Sequence, residues 1–556
     1  AHHREVAVRL ARREVDPAAG HDGDGPVAVA GRGHGGRRRP RLRCRHGCAA
    51  PAAHQLGALG AVLDQLGEHS WFPAHGDAIA PGTGERDSWA ELLIRPRLLA
   101  ALRRLNPGVP DQYLQQACAE IAAPTSQDAI TENHRIHKMF VDGYRITYLD
   151  DDGVEHNPTL RIIGSDEYGN DFLAVNQVTL VHGDYRRRFD VVLYCNGMPV
   201  SIMELKKAGS HTADVAAAHA QLQTYLREFP MAFRFCVFTF ASDGLDAKYG
   251  TPFTPLNHFS PWNVDDDGTP VPAGHTIHGQ AVLPIETAID GLYNPTRFLQ
   301  LLRSYTAFDA GADGLVKRIA KPHQYFAVTK AVGSTIEAVR TNGKAGVVWH
   351  TQGSGKSMEM ELYTAAVMRH PELKNPTIVL VTDRTELDGQ LYSGFARSQL
   401  LPDTPQQVTT RAQLREELTG RGTGGIYFTT LQKFGLTKEE KDSGTEHPLL
   451  SDRRNIIVIV DEAHRSHYDD LDGYARHLRD ALPYATLIAF TGTPISFEDR
   501  NTREVFGDYI DIYDLSRAVE DGATVPVYFE PRLIKVQLAE DVTTDDLDSA
   551  AAEATA

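Results

Sequence analysis

Two motifs near the middle of the chain constrain its fold more than any other feature. The first is the glycine-rich loop from His350 to Ser357, and the second is Asp461-Glu462-Ala463-His464, which ends an apolar run. The backbone N–H groups of such a loop can surround phosphates, while Lys356 reaches the terminal phosphates and Ser357 offers a hydroxyl to Mg²⁺. A buried strand ending in two carboxylates completes the site, because Asp461 can hold the metal and Glu462 can activate a water. We therefore expect ATP binding and hydrolysis, with further contacts from Thr351, Gln352, Gly353, Ser354, Gly355 and His464.

Length and charge set further limits. The 556 residues suffice for two to four domains. The formal net charge of -16 means that any basic surface for DNA must be local, since a uniformly acidic surface repels phosphate. No apolar run approaches the roughly 18–20 residues of a membrane span, and no signal-peptide pattern opens the chain. The five scattered cysteines fit a reducing compartment, so we expect a cytoplasmic protein with no membrane partner.

Residues 1–55 differ in composition from the rest of the chain. They are rich in arginine and glycine and contain neither lysine nor an aromatic residue. Such a segment cannot bury enough apolar surface to fold, so we expect disorder, or an artefact of where translation was taken to begin. A basic arm that contacts DNA is the alternative. Cys44, His46 and Cys48 form at most half a metal site, because no second cluster completes it.

Hydrophobic periodicity predicts a globular α/β chain from residue 56 onward. Helices are predicted over residues 88–105, 112–121, 129–141 and 213–228, and strands over 171–181, 188–194, 200–205 and 233–239. The Asp-rich stretch 264–268 is typical of a linker or surface loop. After Lys321, short buried strands alternate with helices, which predicts a parallel sheet built from βαβ units.

A second chemical constellation lies on two adjacent predicted strands. Asp190 is on the first strand, and Glu204 and Lys206 lie two residues apart at the end of the second. Side chains alternate along a strand, so Glu204 and Lys206 share one face. Two carboxylates can hold Mg²⁺, which polarises a phosphodiester and lowers the pKa of a bound water, while Lys206 can orient that water or offset charge. The pattern predicts metal-dependent cleavage of a phosphodiester.

The hairpin between these strands provides a geometric test. A strict two-residue turn at Asn196-Gly197 pairs Cys195 with Met198 and places Asp190 opposite Met203, on the face away from Glu204. If both carboxylates bind one metal, the turn must have three residues or the hairpin must contain a bulge. We predict one of these two arrangements.

Two neighbouring features fit a nuclease. The basic run 185–188 directly precedes Asp190, although such runs are often ordinary solvated surface. Gln221 and Tyr225 lie four residues apart, on one face of the predicted helix that follows, and could reach a DNA strand. Ordinary packing is the alternative for this pair.

Together these motifs resemble the restriction (motor and nuclease, R) subunit of type I restriction-modification enzymes, over roughly residues 85 to 535. The fragments that carry the resemblance are 132–137, 188–190, 204–207, Gln221 with Tyr225, 321–325, 351–357, 381–384, 461–464 and 491–494. The resemblance implies a PD-(D/E)xK nuclease-like mixed sheet with flanking helices, followed by a RecA-like parallel-sheet lobe of a superfamily 2 helicase. We accordingly expect a nuclease domain at 56–262, a connecting region at 263–320, the helicase lobe at 321–535 and a tail at 536–556.

The resemblance also implies roles and partners. Asp190 and Glu204 would hold the nuclease metal, Lys206 would act in catalysis, and Gln221 and Tyr225 would support it. Gln324 would contact adenine, with an ordinary polar helix residue as the alternative. Asp383-Arg384 and 429–432 would touch the DNA backbone or position the ATP site, and 491–493 would couple hydrolysis to DNA movement. The implied cofactors are ATP and Mg²⁺, and the implied partners are double-stranded DNA and the methyltransferase and specificity subunits.

Two departures qualify the resemblance. His350 occupies the first position of the phosphate loop, where the general pattern has glycine. No second lobe with its arginine finger is recognisable, so the chain alone is expected to bind ATP but hydrolyse it poorly and not translocate. Another helicase–nuclease fusion, as in type III restriction enzymes, and a catalytically silent fragment that binds ATP or DNA stay open as alternatives.

Overall fold

The computed structural model describes residues 55–206, 214–272, 274–277, 280–312, 314–382, 385–444, 447–462, 474–493 and 500–525. The predictions for residues 1–54, Lys207, Asp383-Arg384, His464, Pro494 and the tail lie outside the described residues. Within the described ranges, no helix is both long enough and apolar enough to cross a bilayer.

The first half of the chain contains helices α1 to α5 and strands β1 to β10. The helices are α1 Gln55–Glu68, α2 Arg95–Leu105, α3 Asp111–Ala122, α4 Ala129–Asp142 and α5 Val215–Glu228. The strands are β1 Phe72–His75, β2 Tyr144–Arg145, β3 Tyr148–Leu149, β4 Glu155–His156, β5 Thr159–Leu160, β6 Phe172–His182, β7 Tyr185–Cys195, β8 Met198–Leu205, β9 Phe238–Ser242 and β10 Ala247–Gly250.

A second set of elements follows residue 275. The helices are α6 Pro284–Tyr293, α7 Pro295–Ser304, α8 Pro322–Arg340, α9 Lys356–Arg369, α10 Thr385–Arg397, α11 Arg411–Gly420, α12 Lys438–Asp442, α13 Tyr474–Ala481, α14 Arg500–Phe506 and α15 Leu515–Glu520. The strands are β11 Thr276–Ile277, β12 Gln280–Ala281, β13 Thr306–Gly311, β14 Gly314–Ile319, β15 Lys344–His350, β16 Thr377–Thr382, β17 Gln406–Gln407, β18 Ile426–Thr430, β19 Ile456–Asp461, β20 Thr486–Thr491 and β21 Tyr509–Tyr513.

The first large sheet is mixed and has the order β1-β6-β7-β8-β9-β10. Strands β6, β7 and β8 form an antiparallel meander, whereas β1 joins β6 and β9 joins β8 in parallel. Helix α5 covers one face, where Leu222 and Tyr225 pack in one core with Val192 and Ile202. The other face carries Val191, Leu193 and Met203 into the largest core cluster. Both faces of the central strands are therefore buried, as the near-continuous apolar runs of β7 and β8 require.

The second large sheet is entirely parallel and has the order β17-β18-β16-β19-β20-β15-β21. Its strands are runs of buried β-branched and aliphatic residues, such as 456–460, and helices connect them. The alternation of strand and helix predicted after Lys321 is confirmed. Strand β15, which ends at the phosphate loop, is separated from the acidic strand β19 by one strand, β20.

Two predicted element boundaries were wrong. The helix predicted from residue 88 begins only at Arg95, with Pro96 in its first turn. Residues 89–94 instead run beside the sheet, where the carbonyl of Trp89 accepts from the N–H of Val181. The strand predicted over 233–239 begins at Phe238, because residues 230–233 form a turn of 3₁₀ helix that starts at a proline. Amphipathic spacing alone did not reveal either interruption.

The region predicted as a connection, residues 263–320, contains ordered elements. It includes the helices α6 and α7 and the antiparallel pair β13–β14, and α6 and α7 pack into the same core as the first sheet. The Asp-rich stretch 264–268 is a turn with exposed residues at 265–267, as expected for a surface loop. The domain boundaries themselves stay predictions.

Candidate functional site

The β7–β8 hairpin resolves the geometric test. Its turn has two residues, Asn196 and Gly197, both at positive φ (52° and 78°), and Cys195 pairs with Met198. A β-bulge then shifts the register, because Tyr194 pairs with Pro199 but Leu193 pairs with Ser201. Val200 is the extra residue of β8. Beyond the bulge Val191 pairs with Met203, so the same register places Asp190 opposite Glu204. Of the two predicted arrangements the hairpin has the bulge, so Asp190 and Glu204 lie on the same face of the sheet.

A second irregularity lies on the other side of Asp190. Gln177 on β6 has φ 56°, in the left-handed region that few side chains adopt. The paired positions on either side of it are Asn176–Val191 and Val178–Phe189, so Gln177 lies across from Asp190. The Gln177 side chain opposes the rise in the pKa of Asp190, so its amide stabilises the ionised carboxylate. The sequence analysis missed Gln177, since nothing in its local pattern indicates a left-handed residue in the middle of a strand.

Hydrogen bonds fix the acidic pair and its lysine. The backbone N–H of Leu205 donates to Asp190 Oδ2 at 2.9 Å, which ties the carboxylate to the neighbouring strand. Lys206 Nζ donates to Glu204 Oε1 at 2.6 Å. The Glu204 side chain is 5 % exposed and that of Lys206 is 23 % exposed. The expected trio is therefore brought together at the edge between buried sheet and solvent.

Both carboxyl groups of the acidic pair have a raised pKa. Burial and the charge of Asp190 raise the pKa of Glu204 to about 7, although Lys206 partly opposes the shift. Burial also raises the pKa of Asp190, while the Leu205 N–H and the charge of Lys206 oppose it. A raised pKa is typical of a buried carboxyl group that shares a site with a second carboxylate, and a bound cation would lower it.

The residues fit a magnesium ion bound through few protein ligands. Glu204 Oε2 is buried and accepts no hydrogen bond of ordinary geometry from the described residues. The described part of the chain has no group of three or more His, Cys, Asp or Glu side chains placed to hold a metal. Mg²⁺ commonly uses one or two carboxylates and fills its other positions with water and phosphate oxygens, so Asp190 and Glu204 suffice as ligands.

The helix α5 places Tyr225 against the acidic pair. The ring of Tyr225 packs on Phe189 with a centroid distance of 4.4 Å, and its hydroxyl donates to the carbonyl of Arg188 at 3.5 Å and lies near Glu204. Burial and the neighbouring carboxylates of Glu204 and Asp190 raise the pKa of Tyr225, so the phenol is neutral and can donate a hydrogen bond. Gln221 interacts with the Tyr225 side chain one turn earlier. The two residues thus lie on one face and beside the site, as expected.

The arginines of the basic run before Asp190 point alternately to the two faces of β7. Arg187 forms an ion pair with Glu228 of α5 at 2.6 Å, which holds the hairpin on the helix. Arg186 and Arg188 are exposed on the projecting end of the hairpin. Arg188, whose charge acts on Asp190, and Arg186, farther along the hairpin, therefore stay accessible to a phosphate backbone.

The phosphate loop has the conformation that its sequence requires. Gly353 and Gly355 have φ of 85° and 93°, and α9 begins directly after the loop at Lys356. Lys356 Nζ donates to the carbonyl of His350 at 3.2 Å, across the mouth of the loop. Ser357 is exposed on the first turn of α9. The N–H groups at this helix start point toward the place where an anion would bind.

Gln324 lies against the loop. Its Nε2 donates to the carbonyl of Ser354 at 3.0 Å, and its Oε1 accepts from the N–H of Lys321 at 2.9 Å. A Cβ added at Gly355 would lie 2.4 Å from Gln324 Nε2, so the Gln324 amide packs directly against the backbone of the loop. Gln324 therefore contacts the phosphate loop directly through the carbonyl of Ser354. Its contact with adenine stays a prediction.

The acidic strand ends beside the loop. Asp461 is the last residue of β19, and Glu462 has φ 54° just beyond it. The N–H of Gly492, after β20, donates to Glu462 Oε2 at 3.4 Å, and a Cβ on Gly492 would lie 2.8 Å from Lys356 Nζ. The segment 491–493 therefore lies against both Glu462 and Lys356. Thr429 and Thr430 end β18, and residues 431–434 follow as 3₁₀ helix.

The fold and these two sites define an α/β protein that combines an acidic hairpin site with a phosphate-loop lobe. Comparison with known proteins agrees with both parts. The model of the type I restriction enzyme R protein N terminus matches residues 60–258, and the SWI2/SNF2 ATPase model matches residues 323–556.

Individual relatives extend the match across both parts. The chain is 38 % identical over 486 residues to the type I restriction enzyme HindI endonuclease subunit of Haemophilus influenzae, covering 84 % of this chain and 45 % of that protein. It is 31 % identical to a protein of Methanocaldococcus jannaschii provisionally named as the MjaIXP type I endonuclease subunit, covering 88 % and 47 %. The chain is therefore related to the endonuclease (R) subunits of type I restriction enzymes, and it spans about half the length of these relatives.

Solved structures show weaker likenesses. The DNA-bound type ISP restriction-modification enzyme LlaBIII matches at 13 % identity with a TM-score of 0.27, covering 38 % of this chain and 16 % of that one. A likeness of this size carries no argument about fold or function.

Proposed function

We propose that this chain supplies the nuclease site and the ATP-binding lobe of a type I restriction enzyme. In this proposal, Asp190 and Glu204 hold Mg²⁺ and Lys206 assists hydrolysis of a DNA phosphodiester. The domain around them has the PD-(D/E)xK fold. The lobe around Lys356 binds Mg-ATP and, in the full enzyme, drives DNA translocation before cutting, in company with the modification and specificity subunits.

The observation that carries the nuclease part is the bulge in β8. It is the feature that turns Glu204 toward Asp190, and a hairpin without it would separate the two carboxylates. The bulge has no evident use in packing, since the strand is equally buried on both faces. Bulges at such positions re-aim side chains, and they concentrate next to active sites.

The chemistry follows from the contacts of the residues. A magnesium ion supplies polarisation of the phosphate and a bound water of lowered pKa. Asp190 is held in place by the Leu205 N–H, and Glu204 keeps one oxygen without a hydrogen-bond partner among the described residues. Lys206 Nζ lies 2.6 Å from Glu204 Oε1, where it can stabilise negative charge that develops on the phosphate. Tyr225 is buried against Phe189 beside the two carboxylates.

Nicking of supercoiled plasmid tests the nuclease part. We expect this chain to nick plasmid with Mg²⁺ and not with EDTA, and expect Asp190→Ala and Glu204→Ala each to lower the rate at least about 10²-fold. Asp184→Ala is the matched control, because Asp184 is an exposed carboxylate in the turn of the preceding hairpin. Absence of nicking by the unmodified chain would favour a silent fragment, and equal nicking by Asp190→Ala would contradict the assigned site.

Binding of a fluorescent ATP analogue tests the motor part separately. We expect binding that requires Mg²⁺ and is lost in Lys356→Ala, because the amine faces the loop mouth. Lys374→Ala is the control, since this lysine lies after α9 and away from the loop. Binding that persists in Lys356→Ala would place the nucleotide elsewhere.

A further inference from the structure

His350 departs from the usual pattern of a phosphate loop, and its surroundings explain why. It is the last residue of β15 and is fully buried. Its ring lies between two carboxylates: Nδ1 is 2.8 Å from Glu359 Oε1, and Nε2 is 3.1 Å from Asp511 Oδ2. Glycine, the residue that the general pattern has at this position, could make neither contact.

The contacts define the charge of the ring. An ionised carboxylate can only accept hydrogen bonds, so both ring nitrogens must carry protons to satisfy their partners. Burial alone would lower the pKa of His350, but the charges and hydrogen bonds of Glu359 and Asp511 outweigh burial and raise it to about 9. The geometry and the electrostatics therefore agree on an imidazolium at neutral pH.

Two cations balance the two carboxylates around the His350 ring. Lys330 of α8 donates to Asp511 Oδ1 at 2.7 Å, which adds a second cation to the two carboxylates. His323 of α8 lies 4.0 Å from Glu359 and stacks on Tyr513 at 3.9 Å. Burial lowers the pKa of His323 to about 3, so this ring is neutral and donates to the carbonyl of Ser354.

The ion pair of His350 with Glu359 spans the phosphate loop. Glu359 lies on the first turn of α9, just after the phosphate loop, whereas His350 directly precedes the loop. The ion pair therefore joins the two ends of the loop 351–355 beneath it. Asp511 adds the edge strand β21, and Lys330 adds α8, so three elements are fixed relative to the loop.

We infer that His350 is a positioning residue of the ATP site: its imidazolium, held by Glu359 and Asp511, fixes the two ends of the phosphate loop at the separation that binds phosphate. This inference rests on the proposed ATP binding. His350 touches no phosphate through its side chain, and it acts through the backbone of the loop and through its carbonyl, which holds Lys356. Loss of its charge leaves Glu359 fully buried without a cationic hydrogen-bond partner among the described residues.

Two variants separate charge from packing. In His350→Gln the side chain is neutral and has a single NH₂ donor. It can therefore donate to Glu359 or to Asp511, whereas its carbonyl oxygen faces the other carboxylate. In the double variant with Glu359→Gln, the buried carboxylate is neutralised as well. Residues that orient ligand-binding groups without touching the ligand typically change affinity by about 10- to 100-fold. We expect His350→Gln to weaken binding of a fluorescent Mg-ATP analogue at least about tenfold, and the double variant to recover most of that loss.

Each outcome of the binding assay decides a point. His370→Gln is the matched control, because His370 caps the far end of the same helix, and it should bind as the unmodified chain does. Unchanged affinity in His350→Gln would overturn the inference and leave the proposed function standing. A loss that the double variant fails to recover would assign His350 to packing and also overturn it. Failure of the unmodified chain to bind would instead refute the ATP-binding part of the proposed function.

The charge state can be measured without nucleotide. In chain labelled with ¹⁵N-histidine, the His350 ring signals are those that His350→Gln removes. We expect both ring nitrogens to be protonated at pH 7.5 and to titrate near pH 9. A neutral ring at pH 7.5 would refute the imidazolium. Plasmid nicking at the Asp190 site and the far-UV circular dichroism spectrum report whether the variants are folded.

Discussion

The substitution Glu204→Gln should stabilise the metal-free chain while removing its nuclease activity. Burial and the charge of Asp190 raise the pKa of Glu204 from 4.5 to about 7. The unfolded chain therefore releases this proton at lower pH than the folded chain does. Since the folded-state pKa is raised, the stability associated with this carboxyl is fully present below about pH 4.5 and is lost as the pH rises through about 7.

The size of the effect follows from the same two values. A pKa elevation from 4.5 to about 7 corresponds to up to about 3 kcal/mol of unfolding free energy lost once the group is ionised. The Glu204 side chain is only 5 % exposed, so solvent screening reduces this figure little. Lys206 loses its partner in the variant, but its side chain is 23 % exposed and can be solvated. We expect the variant to gain up to about 3 kcal/mol at pH 8 and close to nothing at pH 4.5.

Urea unfolding in EDTA, followed by tryptophan fluorescence, measures this difference, because Trp71 and Trp262 are both buried in the core that adjoins the first sheet. Asp184→Asn is the control for removing a surface charge, and its unfolding midpoint should not move. Mg²⁺ should raise the midpoint of the unmodified chain at pH 8, since ligand binding to the folded state stabilises it, and should not raise that of Glu204→Gln. An equal gain at both pH values, or no gain at pH 8, would refute the electrostatic reasoning.

Three further predictions concern single residues. Gln177→Ala should lower Mg²⁺-dependent nicking at least about tenfold, because the Gln177 amide stabilises the ionised Asp190, while Gln116→Ala, an exposed control, leaves the rate unchanged. Lys356→Ala should abolish binding of the ATP analogue but leave nicking intact, and a matched loss of nicking would mean that the two sites are not independent. Gly197→Ala should lower the free energy of unfolding by at least about 2 kcal/mol, because φ is 78° and the new Cβ would lie 2.3 Å from the carbonyl of Ile94; an unfolding midpoint within error of the unmodified chain would contradict this.

The sequence predicted the parts of the fold that depend on composition over a window of residues. The parallel sheet after Lys321 was visible because strands buried on both faces are continuous apolar runs between helical segments. The start of α2 was missed because residues 88–94 have helical spacing of apolar side chains, although Pro96 favours a helix start at Arg95. Periodicity indicates which side chains are buried, whereas a proline decides where the backbone can begin to donate hydrogen bonds.

The candidate sites divide in the same way. The phosphate loop is a local motif, so the residues that it places together are neighbours in sequence, and the positive φ of Gly353 and Gly355 follows from their identity. The nuclease site depends on the pairing between β7 and β8. From the sequence this pairing could be predicted only on the condition that Asp190 and Glu204 bind one metal. That argument required a bulge or a longer turn, and it could not decide between them. Gln177 was beyond reach because its role depends on β6, a strand that carries none of the recognised motif.

Two local irregularities of one sheet build the acidic site from opposite sides. The bulge in β8 turns Glu204 toward Asp190, and the left-handed residue Gln177 in β6 brings an amide to the same carboxylate. Left-handed backbone for a residue of this kind costs of the order of 1–3 kcal/mol, and two buried carboxylates at close range add a further penalty. Replacing buried charged groups with well-packed apolar side chains is often neutral or stabilising, and apolar cores flank the site on both faces. A divalent cation held by Asp190 and Glu204, as we propose, would relieve this repulsion directly.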